Sequence, residues 1–245
     1  MQIPLFCPLI ELVDEGTAVV APENLVYSTQ PRKATGLDGS SYYIKGPDRN
    51  LVVAEAVAHQ LARNFGLSVP DFGIAFLGGG PVFASKEVIR CHRQVESWIR
   101  NGRVTNRNLL PALAAFDIWV MNKDRNIGNL VGEAQLEPDR GGVAIVAIDF
   151  EKSMTLRGPY PLTTTPMILP ASLWPSGTLG QLLVGSQRPD HFISDLSAVT
   201  SDRVSAAFGF VEARLQESVD WKDASVQVLV NRAKRIRELV GEVWR

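Results

Sequence analysis

The chain has 245 residues, 45% of them hydrophobic and 21% charged, with a formal net charge of −1. That length suits one large domain or two closely packed lobes around a proper core. The near-neutral charge excludes binding driven by a broad basic surface, and two cysteines, Cys7 and Cys91, make neither a disulfide framework nor a zinc-ligand set.

The opening residues, Met1 to Ile10, contain two prolines and no basic leader. No signal peptide is expected, and no apolar run approaches the roughly 20 residues of a membrane helix, so the expected location is cytoplasmic. Gly16 to Ala21 and Asn24 to Tyr27 read as short strands. Leu37-Asp-Gly-Ser40 carries a hairpin signal, and Ser41 to Lys45 reads as the strand that follows it. Leu51 to Phe65 reads as a helix. Ala54, Val57, Ala58, Leu61, Ala62 and Phe65 recur at three- and four-residue spacing, and Gly66 stands where a C-terminal cap belongs. Ile74 to Leu77 and Val82 to Ala84 flank Gly78-Gly-Gly-Pro81 as a second hairpin.

Beyond Glu87 the pattern turns helical. Gln94 to Ile99 predicts a helix, and Thr105 predicts the cap of a long one running through Leu109, Leu113, Phe116, Trp119 and Val120. Polar Asn122 to Asn129 interrupts it, and Gly142 to Ile148 is a buried-strand pattern. Pro159 to Pro175 reads as irregular. The remainder reads as helical, ending in one stripe of Val226, Leu229, Val230, Ala233, Ile236, Val240 and Val243 with Lys234-Arg-Ile-Arg237 on its solvated face. Strands with one helix, followed by helices with one short β element, predict an α+β fold of two lobes, residues 1–87 and 88–245.

Three polar residues of the second part point to chemistry. Asp124 and Asn129 lie five apart in the polar loop, and Asp149 ends the buried strand. Singly, each is an ordinary turn or cap former. In this order they supply what phosphoryl transfer needs: a carboxylate to take the proton of an attacking hydroxyl, and two oxygen ligands for Mg²⁺. Gly128 is expected to permit the tight backbone that turns Asn129 inward. In the first part, Lys45 ends a strand ten residues before Glu55 on the next helix, the arrangement that sets an ammonium against phosphates with a carboxylate holding it. Glu55 sits between Ala54 and Ala56, near the helix's apolar boundary, where a charge needs a partner. His59, on the same helix, reads as a packed side chain rather than a ligand.

Asn122-Lys-Asp-Arg-Asn-Ile-Gly-Asn129 with Ala147-Ile-Asp-Phe150 resembles the catalytic and metal-binding motifs of HipA-like kinases, and in style those of the phosphoinositide 3/4-kinases. Ala54 to Pro70 is similar to the family's Glu-bearing helix and its Gly-Leu-x-Val-Pro exit. The resemblance implies a bilobal protein-kinase-like fold, with a β-rich first lobe and a mainly helical second one, using ATP and Mg²⁺. Asp124 then stands as catalytic base, Asn129 and Asp149 as metal ligands, and Lys45 as phosphate ligand with Glu55 as its partner. Lys86, Glu87 and Val88 fall at the hinge facing adenine. Ser28 and Thr29 fall in a phosphate-covering loop, Ser28 to Lys33, which here has no glycine and offers the cations Arg32 and Lys33. Asn126 stands where the family pattern has histidine. The resemblance further implies a protein substrate and an antitoxin or other regulatory partner, as in bacterial toxin–antitoxin pairs, while the near-neutral charge and the lack of a long apolar run predict no direct nucleic-acid or membrane binding. The leading reading is a serine/threonine kinase. The alternatives are a pseudokinase that binds nucleotide or acts as a scaffold, and a kinase with a lipid or small-molecule acceptor.

Overall fold

The computed structural model describes residues 9–14, 16–18, 31–88, 91–92, 95–122, 124–134, 142–154, 177–183, 185–241 and 244. The expected strand Asn24 to Tyr27, the loop residues Ser28 and Thr29, and the proline-rich segment 159–175 lie outside them.

The first sheet has five antiparallel strands: β1 (Thr17–Ala18), β2 (Arg32–Thr35), β3 (Ser41–Lys45), β4 (Phe72–Leu77) and β5 (Gly80–Lys86), in the order β1-β2-β3-β5-β4. Both predicted hairpins are present. Gly78 and Gly79 turn the second with φ of 57° and 81°, values that two residues with side chains rarely adopt together. Alternation splits the sheet into two faces. Ala34, Tyr42, Ile44, Ala75, Val82 and Ala84 pack with Ile10 on the outer face, while Phe72, Ile74 and Phe83 join the main core on the inner one. Arg32 and Lys33, expected in a loop, lie in β2. Arg32 shares the outer register with Ile44 and donates to the Gly16 carbonyl.

Helix α1 (Arg49–Asn64) starts at an Asp48 cap, whose carboxylate accepts from Leu51 N–H at 3.1 Å. Every residue from Leu51 to Ala62 is buried, because α1 packs on β4 and β5 on one side and on α6 (Ser201–Leu215) on another. Both ends are fastened to the C-terminal region. Arg49 donates to the Ser218 carbonyl and pairs with Glu217, and Trp221 Nε1 donates to Asn50. At the other end Arg203 donates to the Asn64 carbonyl and covers the Phe65 ring.

The second part contains α2 (Val95–Arg100) and α3 (Leu109–Val120). Thr105 does not cap α3; Asn108 stands at its N-cap instead. The Asn106 side chain donates to the Ile145 carbonyl at 2.8 Å and accepts from Ile145 N–H at 2.7 Å. Thr105 N–H donates to Val143 O. Residues 105–106 are thus held to a strand and cannot enter the helix. That strand, β8 (Val143–Ala147), is not alone, as the sequence suggested. It pairs with β7 (Leu130–Ala134), which pairs with β6 (Cys91–His92). Helices α4 (Gly177–Leu183), α5 (Asp190–Ser197), α7 (Lys222–Lys234) and α8 (Ile236–Gly241) complete the described elements. The terminal stripe is two helices, not one. Arg235 ends α7, and its guanidinium binds Glu238 in the first turn of α8. Within the segment expected to face solvent, Ile236 is fully buried.

Arg232 of α7 is buried under α3. Its guanidinium donates to the carbonyls of Trp119, at 2.8 Å, and Ile118, while Trp119 Nε1 donates back to the Leu229 carbonyl at 2.8 Å. These carbonyls end α3 immediately before the polar loop. Arg232→Ala strips two buried carbonyls of their donor and leaves a cavity, so a loss of about 2–4 kcal/mol is expected in urea unfolding. Lys234→Ala, on the exposed side of the same helix, should stay within about 0.5 kcal/mol of the parent protein.

Candidate active site

The β7–β8 pairing assembles the site. Its register sets Leu130 opposite Ala147. Asn129, just before β7, therefore faces Ile148, just after β8, and Ile148 N–H donates to Asn129 O at 3.0 Å. Asp149 is the next residue, in the left-handed region at φ 61°, which Asp tolerates better than most residues. Two motifs separated in sequence are thus adjacent through one antiparallel strand pair.

A buried arginine locks this junction. Arg125 Nη1 donates to both Asn129 O and Ile148 O, one carbonyl from each side. Its other nitrogens grip Asp117 on α3, Nε to Oδ2 at 2.8 Å and Nη2 to Oδ1 at 3.2 Å, and Asn122 Nδ2 donates to the same carboxylate at 3.0 Å. The guanidinium carbon lies 4.4 Å from the Phe150 ring centre. Arg125 stands in the motif and Asp117 is the one acid in an otherwise apolar helical stretch. That isolation was a usable signal which periodicity alone did not convert into a role.

Asn126 stands at the cap of a single 3₁₀ turn, Ile127–Asn129. Its side chain accepts from Gly128 N–H at 2.8 Å and donates to the Asp124 carbonyl at 2.9 Å. Gly128 lies within this tight turn, ahead of the buried Asn129, without a left-handed backbone. The left-handed residue of the site is Asp149, and a Cβ at Gly128 would meet Asn126 Oδ1 at 3.0 Å. Asp124 N–H donates to Asn122 at 3.2 Å. Burial and then the nearby Asp149 charge push the Asp124 carboxyl above its ordinary value.

Lys45 arrives from β3, on the inner face, and meets three carboxylates. Asp149 Oδ1 lies at 2.8 Å, Glu151 at 3.5 Å and Glu55 at 3.8 Å. Glu55, expected near a boundary, is fully buried. One of its oxygens accepts from Phe150 N–H at 3.0 Å. Burial raises the Glu55 pKa against the pull of Lys45, while for Asp149 burial is outweighed by Lys45 and Arg125, which hold it below the ordinary range. Glu151 directly follows the motif and carries no sequence pattern of its own.

The hinge-side residues separate. Lys86 pairs with Tyr42 in register, so its side chain leaves on the outer face toward Asp38 at 3.8 Å, away from Lys45. Lys86 N–H is bound to Asp71 O and Glu87 N–H to Ser41 O. The Glu87 carboxylate is held by Lys33 at 2.8 Å and by the Tyr43 hydroxyl at 3.3 Å on the inner face. Val88 follows them.

The donor set fits a hard divalent cation. Among the described residues, carboxylate oxygens of Glu55, Asp149 and Glu151 lie within 4.8 Å of one another. With Asp124 they outnumber the ammonium groups of Lys45 and Lys152, since Arg125 is committed to Asp117. Asp149 and the Asn129 amide carry oxygens of the type Mg²⁺ takes as ligands.

The family model described as HipA-like kinase matches residues 26–156, more than half of the chain. The chain belongs to the HipA-like kinase family. No curated protein matches it. Shewanella oneidensis HipA, solved with HipB and its operator DNA, is 14% identical over 93% of this chain and 67% of that one, with a TM-score of 0.53. The Helicobacter pylori proinflammatory kinase CtkA is 12% identical over 95% of this chain and 96% of that one, at 0.45. Rio2 kinase of Chaetomium thermophilum, in an ADP/Mg²⁺-phosphoaspartate complex, is 12% identical over 93% and 67%, at 0.40. The HipA likeness identifies a kinase fold. This HipA-like kinase keeps the expected α+β order, with the β-rich part first.

His59 of the HipA-like kinase is enclosed by the rings of Phe72, Phe83 and Phe150, with centres 5.2, 4.8 and 4.8 Å away. Its Nδ1 lies 3.0 Å from the Glu55 carbonyl, so the neutral ring carries its proton there. Burial drives its pKa down to about 3. The unfolded chain takes up a proton near pH 6.5 that the folded chain refuses until about pH 3. The contribution of His59 to stability should be whole above pH 6.5 and fall progressively as pH drops toward 3, while the raised Glu55 carboxyl acts with the opposite sign, so the comparison with a His59 variant isolates the histidine. Urea midpoints at pH 7, 5.5 and 4.5 will read this slope, and His59→Leu should flatten it; an unchanged slope would show that another group carries the acid sensitivity.

Proposed function

We propose that this HipA-like kinase transfers the terminal phosphoryl group of ATP, as its Mg²⁺ complex, to a serine or threonine hydroxyl of a protein. Residues 1–87 would form the nucleotide-phosphate lobe and 88–245 the catalytic one. The observation that carries this reading is the β7–β8 register, which sets Asn129 beside Ile148 and so gathers Asp124, Asn129 and Asp149 where Lys45 reaches Asp149 at 2.8 Å.

Each side chain has a role in that reading. Asp124 orients the acceptor hydroxyl and takes its proton, and a raised pKa suits a proton acceptor. Lys45 binds the phosphates, with Glu55 behind it. Asn129 and Asp149 would hold Mg²⁺, which when bound would neutralise phosphate charge. Adenine would meet Val88 N–H and the hinge carbonyls, because the N–H groups of Lys86 and Glu87 are engaged in the sheet. Lys33, Tyr43 and Glu87 line the adjoining inner face. Asn126 supports the loop through hydrogen bonds to Gly128 and Asp124, as a supporting residue there needs to, and this favours an active enzyme over a pseudokinase.

HipA of Shewanella oneidensis was solved with HipB and DNA, which supports proposing an antitoxin-like protein partner here. The formal charge of −1 supports no nucleic-acid contact by this chain alone. Among the described residues no helix is long and apolar enough to cross a membrane, and a cytoplasmic protein is the proposed setting.

Incubation with labelled ATP and Mg²⁺, followed by mass spectrometry of the protein and of a cell lysate, tests the reading. Asp124→Asn should keep ATP-Mg²⁺ stabilisation in a thermal melt and lose transfer by about 10²–10⁴-fold. Undiminished transfer would move the catalytic centre elsewhere. Nucleotide binding without any transfer by the unmodified protein would favour the pseudokinase.

A further inference from the structure

Glu151 follows Asp149-Phe150 in the turn Glu151–Met154. The turn is fixed by Ser153 N–H donating to Phe150 O at 2.9 Å and Met154 N–H donating to Val120 O at 2.7 Å. The Glu151 side chain is 1% exposed, sets Oε2 3.5 Å from Lys45 Nζ and Oε1 3.6 Å from Lys152 Nζ. Glu55, at 3.8 Å from Lys45, is also 1% exposed, whereas Asp149, the nearest carboxylate, is 26% exposed. Asp149 is therefore the one of the three with the most access to the cleft, and the two glutamates lie behind the ammonium.

We infer that Glu55 and Glu151 together form a two-carboxylate socket that retains the Lys45 ammonium when Asp149 turns to a divalent cation, which makes Glu151 a positioning residue for phosphate binding. The inference rests on the proposed role of Lys45. A cation at Asp149 takes away the 2.8 Å partner and repels the ammonium at the same time. One buried carboxylate at 3.8 Å, beyond hydrogen-bonding distance, restrains a flexible four-carbon side chain weakly. A second at 3.5 Å leaves the ammonium in a potential well that does not depend on Asp149. Glu151 acts through Lys45 and needs no contact with nucleotide.

The test uses the full chain and ATP-Mg²⁺. Glu151→Gln keeps the size of the side chain and removes its charge. It should raise Kd and KM for ATP-Mg²⁺ by about threefold to tenfold with a smaller change in kcat. Glu55→Gln, whose amide oxygen still accepts from Phe150 N–H, should do the same. The double variant should lose more than the product of the two single effects, because each carboxylate covers for the other. Glu151→Asp should recover much of the affinity. Wild-type KM in Glu151→Gln, with a double variant no worse than Glu55→Gln, would overturn the socket. So would a Glu151→Gln protein that melts several degrees lower with KM unchanged, since that is a structural role alone. Parent protein that fails to bind ATP-Mg²⁺ at all would instead refute the role of Lys45 from which the socket is inferred.

Discussion

The geometry of this protein depends on a buried guanidinium group. Arg125 sits between α3, which supplies Asp117, and the junction of the two motif strands, which supplies the carbonyls of Asn129 and Ile148. A buried ion pair of this kind is not in itself a large gain over an apolar pair, because both charges give up their hydration. Its effect is directional. The rigid fork of donors tolerates one arrangement of those three acceptors, so the distance between the polar loop and the strand carrying Asp149 is fixed by the length of an arginine. The Phe150 ring under the guanidinium fills the space into which that group would otherwise shift.

A second consequence concerns charge. With Arg125 committed, the described residues set Glu55, Asp124, Asp149 and Glu151 against Lys45 and Lys152. Such a surplus is costly in a partly desolvated space. It is eased by the close Lys45–Asp149 contact. The lysine and the Asp149 carboxylate thus satisfy each other directly.

Much of this was readable in the chain, and the failures have physical causes. Ser41–Lys45 was located to the residue because an Asp-Gly hairpin fixes where a strand can start. Helix α1 was found by spacing, but its burial all round was not, because spacing shows one apolar face and says nothing of what covers the other. Strand β7 was missed. Leu-Val-Gly-Glu-Ala is short, contains a glycine and a charge, and becomes a strand only through pairing with β8, a tertiary effect. Thr105 is a good cap in isolation, but the Asn106 side chain, tied to Ile145, draws that segment to a strand. The terminal stripe has an unbroken period across Arg235, and only the turn at that residue divides it. Asp124, Asn129, Asp149, Lys45 and Glu55 were picked out by residue type and order, while Glu151 and Asp117 stand near the cluster without a pattern of their own.

The burial of α1 also bears on how such a molecule is controlled. Swinging this helix outward would expose Val52, Val53, Val57 and Leu61, all fully buried. At about 1.5–3 kcal/mol for each such side chain, that is roughly 10 kcal/mol, as large as the whole stability of a typical domain. The clasps at Arg49, Trp221 and Arg203 add to it. A switch that works by withdrawing the glutamate-bearing helix would have to melt the protein to operate.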